Sequence, residues 1–315
     1  MSLNFYQSTI CRRVEITGAG VHSGKTVTMA LVPAQAGTGI VFQRTDFIGR
    51  KSGLVPAISS AVQATALCTV IANADGAVVQ TTEHLMAALS ALGIDNLIVE
   101  IDGAEVPVMD GSSNAFVAAI GEAGIEELGA LRSFIRVLRP VSVSNGDAWA
   151  EFTPADTRSF DVEIEFSDRN IGRQRVAVDL TAEVFRKDIS FARTFGFMRD
   201  VERLWAAGYA LGSSLENSVV ICDKTGVVNP LGLRRTDEFA RHKLLDAIGD
   251  LSLAGAPILG QYRSRKGGHK MNADALNALM ADDANYEIVT PGAEALVAAR
   301  QSKAAFTGSR VPQTV

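Results

Sequence analysis

The chain has 315 residues, of which 47% are hydrophobic and 21% charged, with a net charge of -5. That length fits two domains or one large one, and the composition can bury a sizeable core. The acidic balance without any basic block argues against nucleic acid as a partner, and no stretch approaches the ~18–20 apolar residues of a membrane span.

In chain order, the opening "MSLNFYQSTICRRVEITG" lacks a cleavable apolar core. "GAGVHSGK", 18–25, resembles a phosphate loop only superficially, because it lacks the GxxxxGK(S/T) spacing. "VTMALVPAQAGTGIVFQRTD" reads as strand, Pro-Ala turn and strand. "TTEHLMAALSALGIDN" predicts a helix with Thr81 or Thr82 as cap and Gly93 as stop, and the strand "LIVEIDG" follows it. The second half repeats this plan: "AWAEFTPADTRSFDVEIEFSD" gives two strands, then come a helix, "EFARHKLLDAIGDLSLAG", and a strand, "APILGQYRSRKGG". The boundary falls near 128–134, giving one domain over 1–130 and a second over 131–300. An extra βαβ-like passage lies at about 196–229, and 301–315 reads as a frayed tail. The passage at 196–229 is rich in Met, Leu, Trp and Val, and is either a wall for an apolar ligand or ordinary core. Cys11, Cys68 and Cys222 are scattered, odd in number and outside any CxxC spacing, which reads as reduced thiols in a cytosolic protein.

"HKLLDAIGD", 242–250, carries His242, Asp246 and Asp250 at four-residue steps, along one stripe of a helix. Two carboxylates four apart repel mildly unless a cation neutralises them. The stripe is thus either an acidic surface or the wall of a site that holds something positive. His242 and Asp246 can reach one ion, and three protein ligands plus an open position is the pattern of a catalytic zinc. HxxxD alone is a weak signal. His84, at the start of the equivalent helix, is the attractive third ligand, and would put the ion between the domains.

Glu83, beside His84, can take a proton from an attacking water, or merely complement the helix dipole. His269 lies in the glycine loop "KGGHKMN". Asp250 can pair with it and raise its pKa, which suits a general acid. Lys243 and Lys266 can meet an anionic substrate or be plain surface charge. Thr194, in "SFARTFGF", can donate to a developing oxyanion or satisfy a strand end.

Several motifs in order, "GVHSGK", "TTEHLMAALSALGIDN", "VPVMDGSS", "ARTFGFM", "NSVV", "RHKLLDAIGDL" and "GGHKMN", make the chain similar to the UDP-3-O-acyl-N-acetylglucosamine deacetylases, the zinc amidases of lipid A biosynthesis in Gram-negative bacteria. The resemblance runs from about residue 5 to about 295. It departs at Thr82, where the family usually has an apolar residue, and at Gly267, where it often has serine. The resemblance implies an α+β fold of two similar α/β sandwich domains from an internal duplication, with helices packed between two sheets. It implies zinc, with iron(II) as an alternative, on His84, His242 and Asp246. It also implies Glu83 as general base, His269 as general acid oriented by Asp250, and Lys243 and Thr194 at the oxyanion. Phe195 and Lys266 match positions near the hexosamine and diphosphate, and Phe166 and Phe197 match positions near the nucleotide. Met198, Val201, Leu215 and Val220 are candidates for a passage that takes the acyl chain. The expected product pair is acetate and UDP-3-O-acyl-glucosamine. The expected setting is a cytoplasmic monomer in transient contact with the inner membrane surface. A zinc hydrolase for another N-acyl sugar and a non-catalytic carrier of the nucleotide sugar are the rivals; a carrier needs neither Glu83 nor His269.

Overall fold

The computed structural model describes residues 4–47 and 52–292, so the tail expected at 301–315 lies outside the described residues. Two sheets of matching plan carry the chain. In the first, Val14–Ala19, Thr26–Pro33, Leu97–Ile101, Ile40–Arg44 and Leu54–Pro56 lie side by side in that order. Their pairings are antiparallel, antiparallel, parallel and antiparallel. In the second, Val141–Asn145, Ala148–Thr153, Ile258–Arg265, Arg158–Glu165 and Arg173–Asp179 repeat both the order and the senses. Phe134–Val137 and Tyr286–Val289 extend the second sheet.

Alternation explains the strands. In Arg158–Glu165, Phe160, Val162 and Ile164 point to the core. Asp161 between them is also buried, because Arg175 on the neighbouring strand holds it through two hydrogen bonds of 2.6 Å.

The helices are α1 (Glu83–Leu92), α2 (Asn114–Ala123), α3 (Ala182–Val184), α4 (Val201–Ala206), α5 (Glu238–Leu251) and α6 (His269–Met280). Gly93 ends α1 as expected, in the left-handed region at φ 79°. Thr82 is the N-cap residue, as expected, but its side chain makes no capping bond. The Thr82 hydroxyl donates to the Thr69 carbonyl and the Thr81 hydroxyl to Glu105. α1 and α5 pack on each other, α6 packs on α5 and on two strands of the second sheet, and α2 packs on α1 and on Val14–Ala19. The core is continuous through them, from Phe42 and Val99 of one sheet, through Leu85, Leu89, Leu244 and Ile248, to Phe152 and Tyr262 of the other. Twelve of the fourteen α5 residues are buried, the carboxylates included, so its acidic stripe is not a solvated surface.

Each half carries an insert between the fifth strand of its sheet and its first long helix. The first is an antiparallel set, Val62–Ala64, Val70–Ala72 and Val78–Val79. In the second, Phe195–Phe197 and Val219–Cys222 run parallel, with α4 between them in sequence, and Gly226–Val227 adds a hairpin. No helix among the described residues is long and apolar enough to cross a membrane.

Candidate metal centre

His84 stands in the first turn of α1, and His242 and Asp246 stand one turn apart on α5. The two helices meet closely. A Cβ on Gly249 would overlap the carbonyl oxygen of Glu83 and sit 2.8 Å from its carbonyl carbon. This approach brings the three side chains together in the interior, with ligand atoms within 4.8 Å of one another. Asp246 Oδ1 is 3.6 Å from His84 Nε2 and 3.4 Å from His242 Nε2. Tetrahedral bonds of about 2.0–2.1 Å separate ligand atoms by about 3.3 Å, so the spacing suits one small dication.

The protonation states suit it too. His242 Nδ1 donates to the Ala192 carbonyl at 3.1 Å, which leaves Nε2 a free lone pair. Burial drives the His242 pKa down to about 3, so the ring is neutral at pH 7. Burial opposes the charge on Asp246, but His242, Lys243 and His269 outweigh it and hold its pKa well below the usual carboxylate value. Two imidazoles and an ionised carboxylate are a donor set for zinc or iron(II). His84 Nδ1 is buried without a hydrogen-bond partner, a cost that proteins keep mainly where a site needs it.

Two titratable groups flank this trio. Glu83 Oε1 is 3.9 Å from His269 Nε2, and the same nitrogen is 3.9 Å from Asp246 Oδ2. Burial raises the Glu83 pKa, against the pull of His269 and His84. Burial would lower that of His269, but Asp250 and Asp246 overcome it and lift it to about 9. His269 Nδ1 donates to Asp250 Oδ2 at 2.9 Å, and Asn272 Nδ2 reaches the same oxygen at 2.7 Å. The other oxygen, Oδ1, accepts the Thr69 hydroxyl at 2.6 Å. Lys243 Nζ donates to Asp246 Oδ2 at 2.8 Å; burial works against its charge, yet Asp246 keeps its pKa raised.

The trio, with Glu83, Lys243 and His269, faces a cavity of about 460 Å³. Glu83, His84, His242, Lys243, Asp246 and His269 line it, with Thr194, Phe195, Phe197, Val201, Leu215 and Val220. Thr194 is held by backbone bonds to Gly111 and Val219, at 2.8 and 2.7 Å. Gly111 makes this possible: it has φ 81°, and a Cβ there would overlap the Asn217 carbonyl oxygen.

Four expected residues, Lys266, Met198, Phe166 and Asp250, do not line this cavity. Lys266 does not line it, and its Nζ donates to Asp147 at 2.6 Å and lies 3.5 Å from Glu165. Met198 is 47% exposed outside it. Phe166 is reached only indirectly, its ring 5.8 Å from that of Phe195 and 6.1 Å from that of Phe197. Asp250 stands behind His269. The residues not anticipated are Thr69, Asn272, His22 and Trp205. His22 lines the cavity with its ring edge-on to Tyr209, and its backbone N–H donates to Glu105 at 2.8 Å. "GVHSGK" therefore forms cavity wall.

A family model described as "UDP-3-O-acyl N-acetylglycosamine deacetylase" matches residues 7–281. Relatives named UDP-3-O-acyl-N-acetylglucosamine deacetylase from Brucella ovis and Brucella canis are each 53% identical over 287 residues, covering 91% of this chain and 99% of theirs. The relative of that name from Brucella melitensis is 52% identical with the same coverage.

Proposed function

The chain belongs to the UDP-3-O-acyl N-acetylglycosamine deacetylase family, and on that premise we propose that it hydrolyses the N-acetyl group of UDP-3-O-acyl-N-acetylglucosamine. The products are acetate and UDP-3-O-acyl-glucosamine, in the committed step of lipid A synthesis. One observation carries this reading: a buried His84–His242–Asp246 trio flanked by a carboxylate and a charged imidazole opens onto a largely apolar cavity.

His84, His242 and Asp246 hold zinc, and iron(II) suits the same donors. When bound, the metal supplies a Lewis acid that polarises the amide carbonyl and acidifies water. Glu83 takes the proton of the attacking water. His269, whose pKa Asp250 and Asp246 raise, gives its Nε2 proton to the departing nitrogen. Asp250 holds the imidazole by Nδ1. Lys243 and Thr194 donate toward the developing oxyanion.

Phe195 packs on the hexosamine and Lys266 meets the diphosphate, while Phe166 and Phe197 lie toward the nucleotide. Val201, Leu215 and Val220, with Met198 at the outer edge, take the 3-O-acyl chain. The residue ranges 1–130 and 131–300 are the two domains of the duplication, the second with the 196–229 insert. The enzyme acts in the cytoplasm of a Gram-negative bacterium, as a monomer. It makes transient contact with the inner membrane surface, a reading supported by the exposed Trp205 and Leu215 that also line the cavity.

The test is mass-spectrometric detection of acetate from the acylated nucleotide sugar. Acetate release that stops on chelation and returns with zinc is expected. No release by fully metallated protein overturns the assignment.

A further inference from the structure

We propose that Thr69 is a positioning residue that sets the base and the acid of the reaction relative to each other; this rests on the roles given above to Glu83 and His269. Thr69 is 2% exposed and sits at the edge of the first insert, just before Val70–Ala72. Its backbone N–H donates to Glu83 Oε2 at 3.1 Å. Its hydroxyl donates to Asp250 Oδ1 at 2.6 Å and lies 3.4 Å from His269 Nδ1. One residue thus touches the carboxylate that takes a proton, the imidazole that gives one, and the carboxylate that orients the imidazole.

The geometry divides the work between the two Asp250 oxygens. Oδ2 accepts from His269 Nδ1 and from Asn272 Nδ2, and Asn272 is itself held by the Tyr262 hydroxyl at 2.6 Å. Those contacts fix one oxygen, and the carboxylate is free to turn about it unless Oδ1 is also held. The Thr69 hydroxyl holds Oδ1, and because its only proton is spent there, toward His269 Nδ1–H it can act only as an acceptor. The imidazole is then held at its Nδ1 edge by two acceptors, with Nε2 directed at Glu83 and Asp246. The Thr69 amide meanwhile fixes the Glu83 oxygen farther from His269, leaving Oε1, 3.9 Å from His269 Nε2, as the working oxygen. Thr69 does not line the cavity, and its amide and hydroxyl are directed to Glu83, Asp250 and His269 rather than to His84, His242 or Asp246, so it acts on proton transfer and not on substrate or metal binding.

The experiment compares Thr69→Val, Thr69→Ala and Thr69→Ser in the metallated enzyme, with Glu83→Gln and His269→Gln beside them. Valine keeps the shape and the backbone donor and removes only the hydroxyl. Losing a hydrogen bond to a charged group should lower kcat about tenfold or more. KM and metal content should stay at wild-type values, alanine should match valine, and serine should restore kcat. Wild-type kcat in the valine and alanine variants overturns the proposal, as does a rise in KM at constant kcat or a serine variant as slow as valine. If Glu83→Gln and His269→Gln are themselves as fast as wild type, the underlying acid–base reading has failed. If those two are slow while Thr69→Val is not, only the role of Thr69 falls.

Discussion

The two inserts occupy the same point in the duplicated plan and do opposite things. The first is short and antiparallel, and it turns inward: Thr69 reaches residues of α1, α5 and α6 from a fully packed position. The second turns outward. No residue of α4 is buried, and Trp205, Leu211 and Leu215 are 54, 54 and 44% exposed. Duplication thus provides one scaffold twice, and the divergence lies in what each insert covers. A tightly packed insert can hold reacting groups in place, whereas a segment such as α4, with no buried residue, belongs to the low-stability end of a fold and can adapt to a flexible ligand. Changes on the inward side should act on turnover, and changes on the outward side on substrate preference.

The largest effects are expected at the centre. Glu83→Gln keeps the size but cannot take a proton, and should lower kcat by roughly 10²-fold or more. Chelation should abolish turnover while far-UV circular dichroism stays nearly constant, since a chain of this size folds on its own core. His84→Ala, His242→Ala and Asp246→Ala should each lower metal occupancy. Full activity in verified metal-free protein would break the inward half of the comparison.

A smaller but sharper effect is expected at the α1–α5 contact. Alanine is the better helix former than glycine by about 1 kcal/mol, so Gly249→Ala would stabilise an open helix. Here the new methyl overlaps the Glu83 carbonyl, and overpacking a buried site costs about 1–3 kcal/mol. The overlap should win: Tm should fall, and kcat should fall with it because the displaced backbone is that of Glu83. A raised Tm would show that the helices have room to spare.

On the outward side, Val220→Ala removes two carbons from the cavity wall. At up to about 0.8 kcal/mol per buried CH₂, the preference in kcat/KM for a long 3-O-acyl substrate should drop by up to about fifteenfold, with the unacylated sugar unaffected. An equal loss on both substrates would mean that this insert is ordinary core.

The repeated strands and the two histidine-bearing helices were legible because their signals are local: a Pro-Ala turn between alternating strands, and a 3.6-residue stripe. The convergence of His84 with His242 and Asp246 was legible because both helices begin alike in a repeated plan and because the ordered motifs carry a family resemblance. Thr69 was not, since its partner Asp250 is 181 positions away and a single threonine between apolar residues carries no local signal. Thr82 stands at the N-cap as read, but the missing capping bond was not legible, for the same cause. The Thr81 and Thr82 hydroxyls go to partners more than ten positions away instead of to the helix end. Lys266 has Asp147 and Glu165 beside its ammonium, neighbours that the sheet brings alongside and that no local signal announces.

The smallest expected effect is a shift rather than a loss, and it tests the charge logic of α5. Burial would keep His269 neutral, and the neighbouring carboxylates raise its pKa to about 9, with Asp250 the strongest of them. A histidine raised on folding stabilises the protein fully below its unfolded value of about 6.5, and that contribution is lost as pH rises through about 9. As the proton donor, His269 should also set the basic limb of kcat/KM, with Glu83 ionisation setting the acidic limb. A bound dication pulls both groups downward, so the direction of the change is the diagnostic quantity. Asp250→Asn keeps the shape and an acceptor oxygen but removes the charge, so the basic limb should move to lower pH while the acidic limb moves much less. The alkaline loss of Tm should begin at lower pH as well. A basic limb that stays at its wild-type position in Asp250→Asn would assign that limb to another group, such as Lys243, and would leave the inward insert bound to a carboxylate that does not tune the acid.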